Sequence, residues 1–232
     1  MTRDRLVFQH IPKTAGSTLQ TLLIRQFPRN EMFICGKDGV LSDFLSLEPR
    51  ARDELSILIG HVDYGIHKQF NGDSMYFTFL RDPLERTISH YYFILNDSSH
   101  RYHQQARNMS LGQFIKSGIR PRMNNCLTRM ISGRDGEYGN LSPQLVDIAI
   151  ENLKKHYFFV GFMNGFDGWV DKLCTRLGWT NKSYITVNVS KNRPNFNELD
   201  KIDQEPLIEH NRLDIELYRR VITNNDLQGT IK

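Results

Sequence analysis

The sequence predicts an α/β domain in three layers, a largely parallel central sheet flanked by helices. Short apolar runs rich in β-branched and aromatic residues read as strands buried on both faces, as in a parallel sheet. Between them lie segments whose apolar residues recur at helical spacing. With 232 residues, 39% of them hydrophobic and 24% charged, the chain can bury such a core without disulfide or metal staples. No repeat, low-complexity tract or linker-like shift divides it, so residues 1–232 read as one domain.

The expected strands are Leu6–Ile11, Ser56–Val62, Met75–Leu80, Tyr157–Phe162 and Tyr184–Val189. Leu19, Leu22, Leu23 and Phe27 share a helical face after the first strand; Leu84, Ile88, Tyr91, Tyr92 and Leu95 do so after the third. Val146, Ile150, Leu153 and Tyr157 trace another helix, and Phe166, Trp169, Val170, Leu173 and Leu177 trace one that ends at Gly178, a C-cap. A last helix runs through Ile208, Asn211, Ile215, Tyr218 and Ile222. The polar stretch Asn96–Ser110 reads as an irregular insertion or lid, with a mobile surface loop as the plainer alternative to an acceptor cleft.

Thirty Lys and Arg against 26 Asp and Glu give a net charge of +4, scattered along the chain rather than gathered into a basic arm. Nucleic acid is thereby disfavoured, and any anionic partner is expected to be small. Cys35, Cys126 and Cys174 match neither a zinc ribbon nor a redox pair and are expected as reduced thiols. No stretch has signal-peptide or membrane-span length, which leads us to expect a cytoplasmic protein without integral membrane contact. The sequons at Asn96, Asn108, Asn140, Asn181 and Asn188 then read as chance, although a domain trimmed from a larger secreted protein would fit as well.

In open α/β sheets ligands bind beyond the carboxyl ends of the strands. After the first strand comes His10-Ile-Pro-Lys-Thr-Ala-Gly-Ser-Thr18, a short loop and then a helix opened by Ser17 and Thr18. Backbone N–H groups of such a turn cradle an anion, and Lys13 adds a full positive charge. The lysine leads the loop instead of following a glycine, so this is not the Walker pattern. After the third strand, Asp82 is an N-cap, Pro83 suits the first helical position and Glu85 stands three residues past the cap, holding Arg81 at a helix mouth. Arg81 and Ser89 read as a second phosphate site, against the plainer reading of Arg81 as an ion pair with Asp82 or Glu85. Two phosphate sites at neighbouring strand ends suit a nucleotide phosphorylated at both 3′ and 5′ positions.

Phe8-Gln-His-Ile-Pro-Lys-Thr-Ala-Gly-Ser-Thr18 resembles the 5′-phosphosulfate loop of the carbohydrate O-sulfotransferases, the family of the heparan and uronyl 2-O-sulfotransferases. Phe79-Leu-Arg-Asp-Pro-Leu-Glu-Arg-Thr-Ile-Ser-His-Tyr91 resembles their 3′-phosphate motif, with a glycine-histidine strand end between the two. Weaker similarity runs through Asn125–Gly133, Phe159–Trp179 and Asn211–Tyr218. The resemblance implies a P-loop-like sulfotransferase fold and a 3′-phosphoadenosine 5′-phosphosulfate (PAPS) donor, with PAP as product and no metal. It makes Lys13, Thr14, Ala15, Gly16, Ser17 and Thr18 the 5′-phosphosulfate cradle, and Arg81 and Ser89 the 3′-phosphate ligands. Lys191, with Asn188 and Ser190, falls where the family often closes a loop over the cofactor; a solvated turn before Pro194 explains these residues equally well.

Sulfuryl transfer to a hydroxyl needs a general base, and His61 is the candidate: it ends an apolar strand, and its type titrates at about 6.5. It also matches the family's glycine-histidine position, and Gly60 permits a close backbone approach. Among the other histidines, His10 orients the first loop, His67 lies outside the strand and His90 sits beside Ser89; His100, His103, His156 and His210 have solvated or core readings. Lys13 is expected to stabilise the leaving 5′-phosphate. Asn125, Thr128 and Arg129 are either polar contacts near the cofactor or acceptor, or an exposed helix face. The acceptor is expected to be a carbohydrate or another hydroxyl-bearing molecule, taken by a small bacterial-type enzyme. Two rivals stand beside this reading, a small-molecule kinase using ATP and Mg²⁺ and a non-catalytic nucleotide-binding protein on the same scaffold.

Overall fold

The computed structural model describes residues 5–35, 41–187, 193–224 and 227. Along the chain run β1 (Arg5–Gln9), α1 (Gly16–Leu23), β2 (Met32–Ile34), α2 (Ser42–Leu45), α3 (Pro49–Asp53), β3 (Ile57–Gly60), β4 (Ser74–Leu80) and α4 (Pro83–Asn96). Then follow α5 (His103–Arg107), α6 (Leu111–Lys116), α7 (Cys126–Ser132), α8 (Gln144–His156), β5 (Tyr157–Phe162), α9 (Phe166–Leu177), α10 (Lys201–His210) and α11 (Arg212–Thr223). The strands form one sheet in the order β2-β3-β1-β4-β5, and every pairing is parallel.

Alternation along each strand sends side chains to opposite faces. Val7, Leu58, Tyr76 and Leu80 pack with Leu127 and Met130 of α7, Leu153 of α8 and Leu217 of α11. Leu6, Phe8, Ile59 and Phe77 pack on the other face with Leu19, Leu22 and Leu23 of α1 and Val170 and Leu173 of α9. Each such buried aliphatic or aromatic side chain contributes about 1.5–3 kcal/mol. This is the expected three-layer arrangement. In β5 the register against β4 slips between Tyr76 and Phe77, and Phe158 and Phe159 then face the same side. A third cluster joins Ile88 and Ile94 of α4, Ala106 of α5, Phe114 of α6 and Leu207 of α10.

The chain builds one half of the sheet with β2 and β3 on one side of β1, then crosses to build β4 and β5 on the other. The carboxyl ends of β1 and β4 therefore flank a topological switch point, the crevice where ligands bind in open sheets. The loop after β1 and the Arg81 helix mouth both emerge there.

Several expectations need correction. Tyr184–Val187 is not a strand, and residues 188 and 189 lie outside the described residues. Side chains of α1 and the turn after it engage the backbone from Ser183 to Val187 instead: Ile185 N–H donates to Thr21 Oγ1 at 2.9 Å, Val187 N–H to Thr18 Oγ1 at 3.1 Å, and Arg25 Nη1 to the Ser183 carbonyl at 2.9 Å. The sheet's fifth strand is β2, three residues at an edge. The C-terminal helix is two helices meeting at Asn211, whose buried amide donates to the Leu207 carbonyl and accepts from Thr87. The 96–110 stretch is anchored, with α5 inside it and Tyr91 Oη donating to the Ala106 and Met109 carbonyls. Cys35, Cys126 and Cys174 are buried and free. Among the described residues no helix is long and apolar enough to cross a membrane.

Candidate active site

The loop between β1 and α1 is held in a conformation that side chains resist. Lys13 (φ 72°) and Ala15 (φ 57°) both occupy the left-handed region, at a cost of order 1–3 kcal/mol each for non-glycine residues. Thr14 Oγ1 donates to the Ile11 carbonyl at 2.8 Å, and Arg81 Nη1 donates to the Lys13 carbonyl at 3.2 Å, fixing the loop from both sides. Ala15, at the N-cap position of α1, offers no side-chain oxygen, and the first turn carries no acidic residue. The leading N–H groups of α1 are thus left for an anion. Gly16 is buried against the imidazole of His10: a Cβ there would lie 1.9 Å from His10 Cδ2.

At the end of β4 the helix mouth forms as its residue types dictate. Asp82 Oδ1 accepts from the N–H groups of Leu84 and Glu85, each at 3.0 Å, and Pro83 takes the first helical position. Asp82 is thereby spent on capping. Glu85 pairs with Arg193 at 2.8 Å and accepts from Phe196 N–H at 2.9 Å. Among the described residues Arg81 forms no ion pair within 4.0 Å, so the plainer reading of that arginine fails. Burial and the facing Arg193 charge press Arg81 down to about 10, and burial with Arg81 and Arg193 presses Lys13 down to about 8. Three cations crowd a partly buried space whose two nearby carboxylates are engaged, Glu85 with Arg193 and Asp82 with the α4 cap. Such a cluster is short of an anion. Ser89 lies buried two turns into α4, and Lys13 Nζ rests 4.1 Å from the centroid of the Phe93 ring.

His61 follows β3, beside β1. A carbonyl can only accept, so His61 Nδ1 donates to the His10 carbonyl, at 2.6 Å, and the neutral ring keeps its lone pair on Nε2. Burial lowers the His61 pKa below 6.5, the His10 carbonyl partly offsets this, and Arg122 and Arg120 lower it further. The ring is neutral at pH 7 and fit to take a proton. The His10 ring stacks on Phe8 and lies 4.2 Å from the His61 ring; burial and the charges of His61 and Lys13 hold it well below the usual histidine range. The His10 ring thus lies beside the His61 ring and within the field of the Lys13 charge. Gly60 allows the close approach at this strand end, since a Cβ there would lie 2.5 Å from Cys35 Cβ.

The structure thus gathers Lys13, the loop through Thr18 and Arg81 at the switch point, with His61 one strand away. Thr14 serves through its loop-fixing hydroxyl, and Thr18 ties down Val187. Asn188, Ser190 and Lys191 lie outside the described residues. Asn125, Thr128 and Arg129 are not an exposed face, nor do their bonds point to a ligand. Asn125 Oδ1 accepts from Leu213 and Asp214 N–H, Thr128 Oγ1 donates to Asp214, and Arg129 bonds Asn124, Asp135 and the Gly136 carbonyl. Arg193 and Phe93 escaped the sequence reading, the first because it stands in an aperiodic polar stretch, the second because it continues an apolar stripe. Among the described residues no group of three or more His, Cys, Asp or Glu is placed to hold a metal ion.

The Sulfotransferase family profile (Sulfotransfer_2) matches residues 1–219. No curated protein sequence matches the chain significantly. Among solved structures, mouse sulfotransferase SULT7A1 complexed with PAP is similar at 15% identity and a TM-score of 0.39, over 88% of this chain and 65% of that one. The chain therefore spans 65% of that neighbour's length. Because the profile match takes in the loop after β1, His61 and the Arg81 helix mouth together, the chain belongs to the sulfotransferase family.

Proposed function

We propose that the protein is a PAPS-dependent O-sulfotransferase acting on a hydroxyl of a carbohydrate or related acceptor. The observation that carries this reading is the pairing of an anion-deficient cluster, Lys13, Arg81 and Arg193, with a histidine whose Nε2 is left free by the His10 carbonyl. The residues fit the donor: the uncapped start of α1 and Lys13 suit a 5′-phosphosulfate, and Arg81 with Ser89 suits a 3′-phosphate. Ser190 and Lys191 are assigned to the same ligand on the family resemblance. When bound, PAPS supplies an activated sulfuryl group.

The chain's own residues then divide the work. His61 Nε2 takes the proton from the acceptor hydroxyl, and its Nδ1–H, fixed on the His10 carbonyl, keeps the ring in the required tautomer. Lys13 Nζ holds positive charge where the leaving phosphate gathers negative charge, which favours the transition state over the ground state. Arg81 steadies the lysine through its carbonyl and supplies a cation of its own.

Thermal unfolding with adenosine 3′,5′-bisphosphate, or with ATP and Mg²⁺, tests the reading. At 100 times its Kd a ligand adds about 2.7 kcal/mol, roughly 5–10 °C for a chain of this size. The expected result is stabilisation by the bisphosphate that Arg81→Ala loses. A shift with ATP and Mg²⁺ alone would sink the reading in favour of a kinase. His61→Ala should keep the bisphosphate shift while lowering turnover by about 10²–10⁴-fold, the usual share of a general base; unchanged turnover would remove the histidine from the mechanism.

A further inference from the structure

Lys13 is the residue on which the proposed chemistry leans most, and its surroundings work against its charge. Arg81 and Arg193 face it from the end of β4 and from the returning segment, and His10 and His90 lie within its field. The carboxylates nearby are committed elsewhere, Asp82 to the α4 cap and Glu85 to Arg193 and Phe196. One contact runs the other way. The ammonium sits 4.1 Å from the centroid of Phe93, in cation–π range of a ring face that carries negative potential. Phe93 stands four residues beyond Ser89 on α4, so the two share a helix face. The residue is 38% exposed, and its ring meets that of His100 edge-on at 5.9 Å. Core packing does not require an aromatic residue at such a place.

We propose that Phe93 is a positioning residue for Lys13: its ring face holds the lysine as an ammonium and directs it over the Ser89 face of α4, where an anionic donor arrives. This rests on the sulfotransferase reading in giving the lysine an anionic donor to meet. The ring–ammonium contact itself does not. Burial and the two arginines already bring Lys13 to about 8, close to working pH, so a modest attraction decides how much of the lysine stays charged.

The test measures the Lys13 titration directly, by the pH dependence of its competitive acetylation with acetic anhydride, read by mass spectrometry on the full chain. Phe93→Leu keeps an apolar side chain and removes the ring; Phe93→Tyr keeps the ring. An exposed cation–π contact favours the charged form by about 2–5-fold, so Phe93→Leu should lower the Lys13 midpoint by roughly half a pH unit. Phe93→Tyr should titrate as wild type. At about pH 8 the bisphosphate should bind Phe93→Leu about 2-fold more weakly or worse, with Phe93→Tyr unaffected. A Leu variant with the wild-type midpoint, or a Tyr variant that moves as far as Leu, would overturn the proposal. Failure of the bisphosphate to bind wild type would instead sink the functional reading and leave the ring contact standing.

Discussion

A β-carbon on Gly16 would lie 1.9 Å from His10 Cδ2 and 2.0 Å from Nε2, so the loop after β1 closes only over a glycine. The imidazole cannot simply step aside, because Phe8 stacks on it and the His61 ring lies 4.2 Å from it. Gly16→Ala should therefore displace His10, loosen the bisphosphate site and lower stability by about 1–3 kcal/mol, the range for overpacking. In a His10→Ala background the same change should cost much less, a coupling of about 1–3 kcal/mol in a double-mutant cycle followed by thermal unfolding. Additive losses would show that the clash is not what fixes the glycine. At this scale the sequence was informative where local chemistry decides: the Gly-Ser-Thr turn, the Asp82-Pro83 cap and the glycine-histidine strand end are all short-range patterns. It was silent on Arg193, whose role depends on Glu85, 108 residues away in the chain. It misjudged Thr128 because Asp214, its partner, lies 86 residues away in the chain.

Elements were legible when their apolar pattern was long and met partners on both sides. Four runs became β1, β3, β4 and β5: β1, β3 and β5 are buried along their whole length and β4 from Tyr76 onward. Tyr184–Val187 has the same residue types, but Thr18 and Thr21 bond its backbone and Arg25 bonds that of Ser183 just before it, and side-chain partners took the place of a ladder. The break at Asn211 was hidden because the apolar spacing continues across it; Asn125 Oδ1 takes the first N–H groups of α11, Leu213 and Asp214, and starts a new helix there. Among the described residues, the returning segment at 193–196 is tied to α4 by Glu85, through the Arg193 pair and the Phe196 N–H bond. Glu85→Gln keeps an acceptor for Phe196 and removes the charge facing Arg193. It should cost about 1.5–3 kcal/mol, as expected for hydrogen bonds to a charged group, and Glu85→Ala should cost more. Equal melting temperatures for Glu85→Gln and wild type would show that the segment is held by something else.

Across the whole molecule the switch-point crevice brings together groups from β1, β3, β4 and the returning segment, and their charges set a pH window for donor binding. Lys13 stands at about 8 and Arg81 at about 10, the first lowered by burial and two arginines, the second by burial and Arg193. His61 is neutral above its own lowered pKa, so the proposed base is unprotonated throughout this window. The second ionisation of a phosphate monoester has its midpoint at about pH 6 and is nearly complete by about pH 7. Bisphosphate affinity should therefore be flat between about pH 7 and 7.5, then weaken by up to about tenfold per pH unit as free Lys13 loses its proton. Calorimetric titration of wild type and Lys13→Met checks this, since the variant should bind weakly and without that slope. The unliganded fold should move the other way. An unfolded lysine keeps its proton up to 10.5 while the folded one releases it at about 8, so the unfolded chain binds more protons between those values and this group's contribution to stability rises with pH. Between about pH 8 and 9.5, below the range where tyrosines ionise, Lys13 should thus bring weaker ligand binding together with a firmer empty protein. A binding constant that stays level from pH 7 to about 9 would mean that the lysine is not part of the anion site.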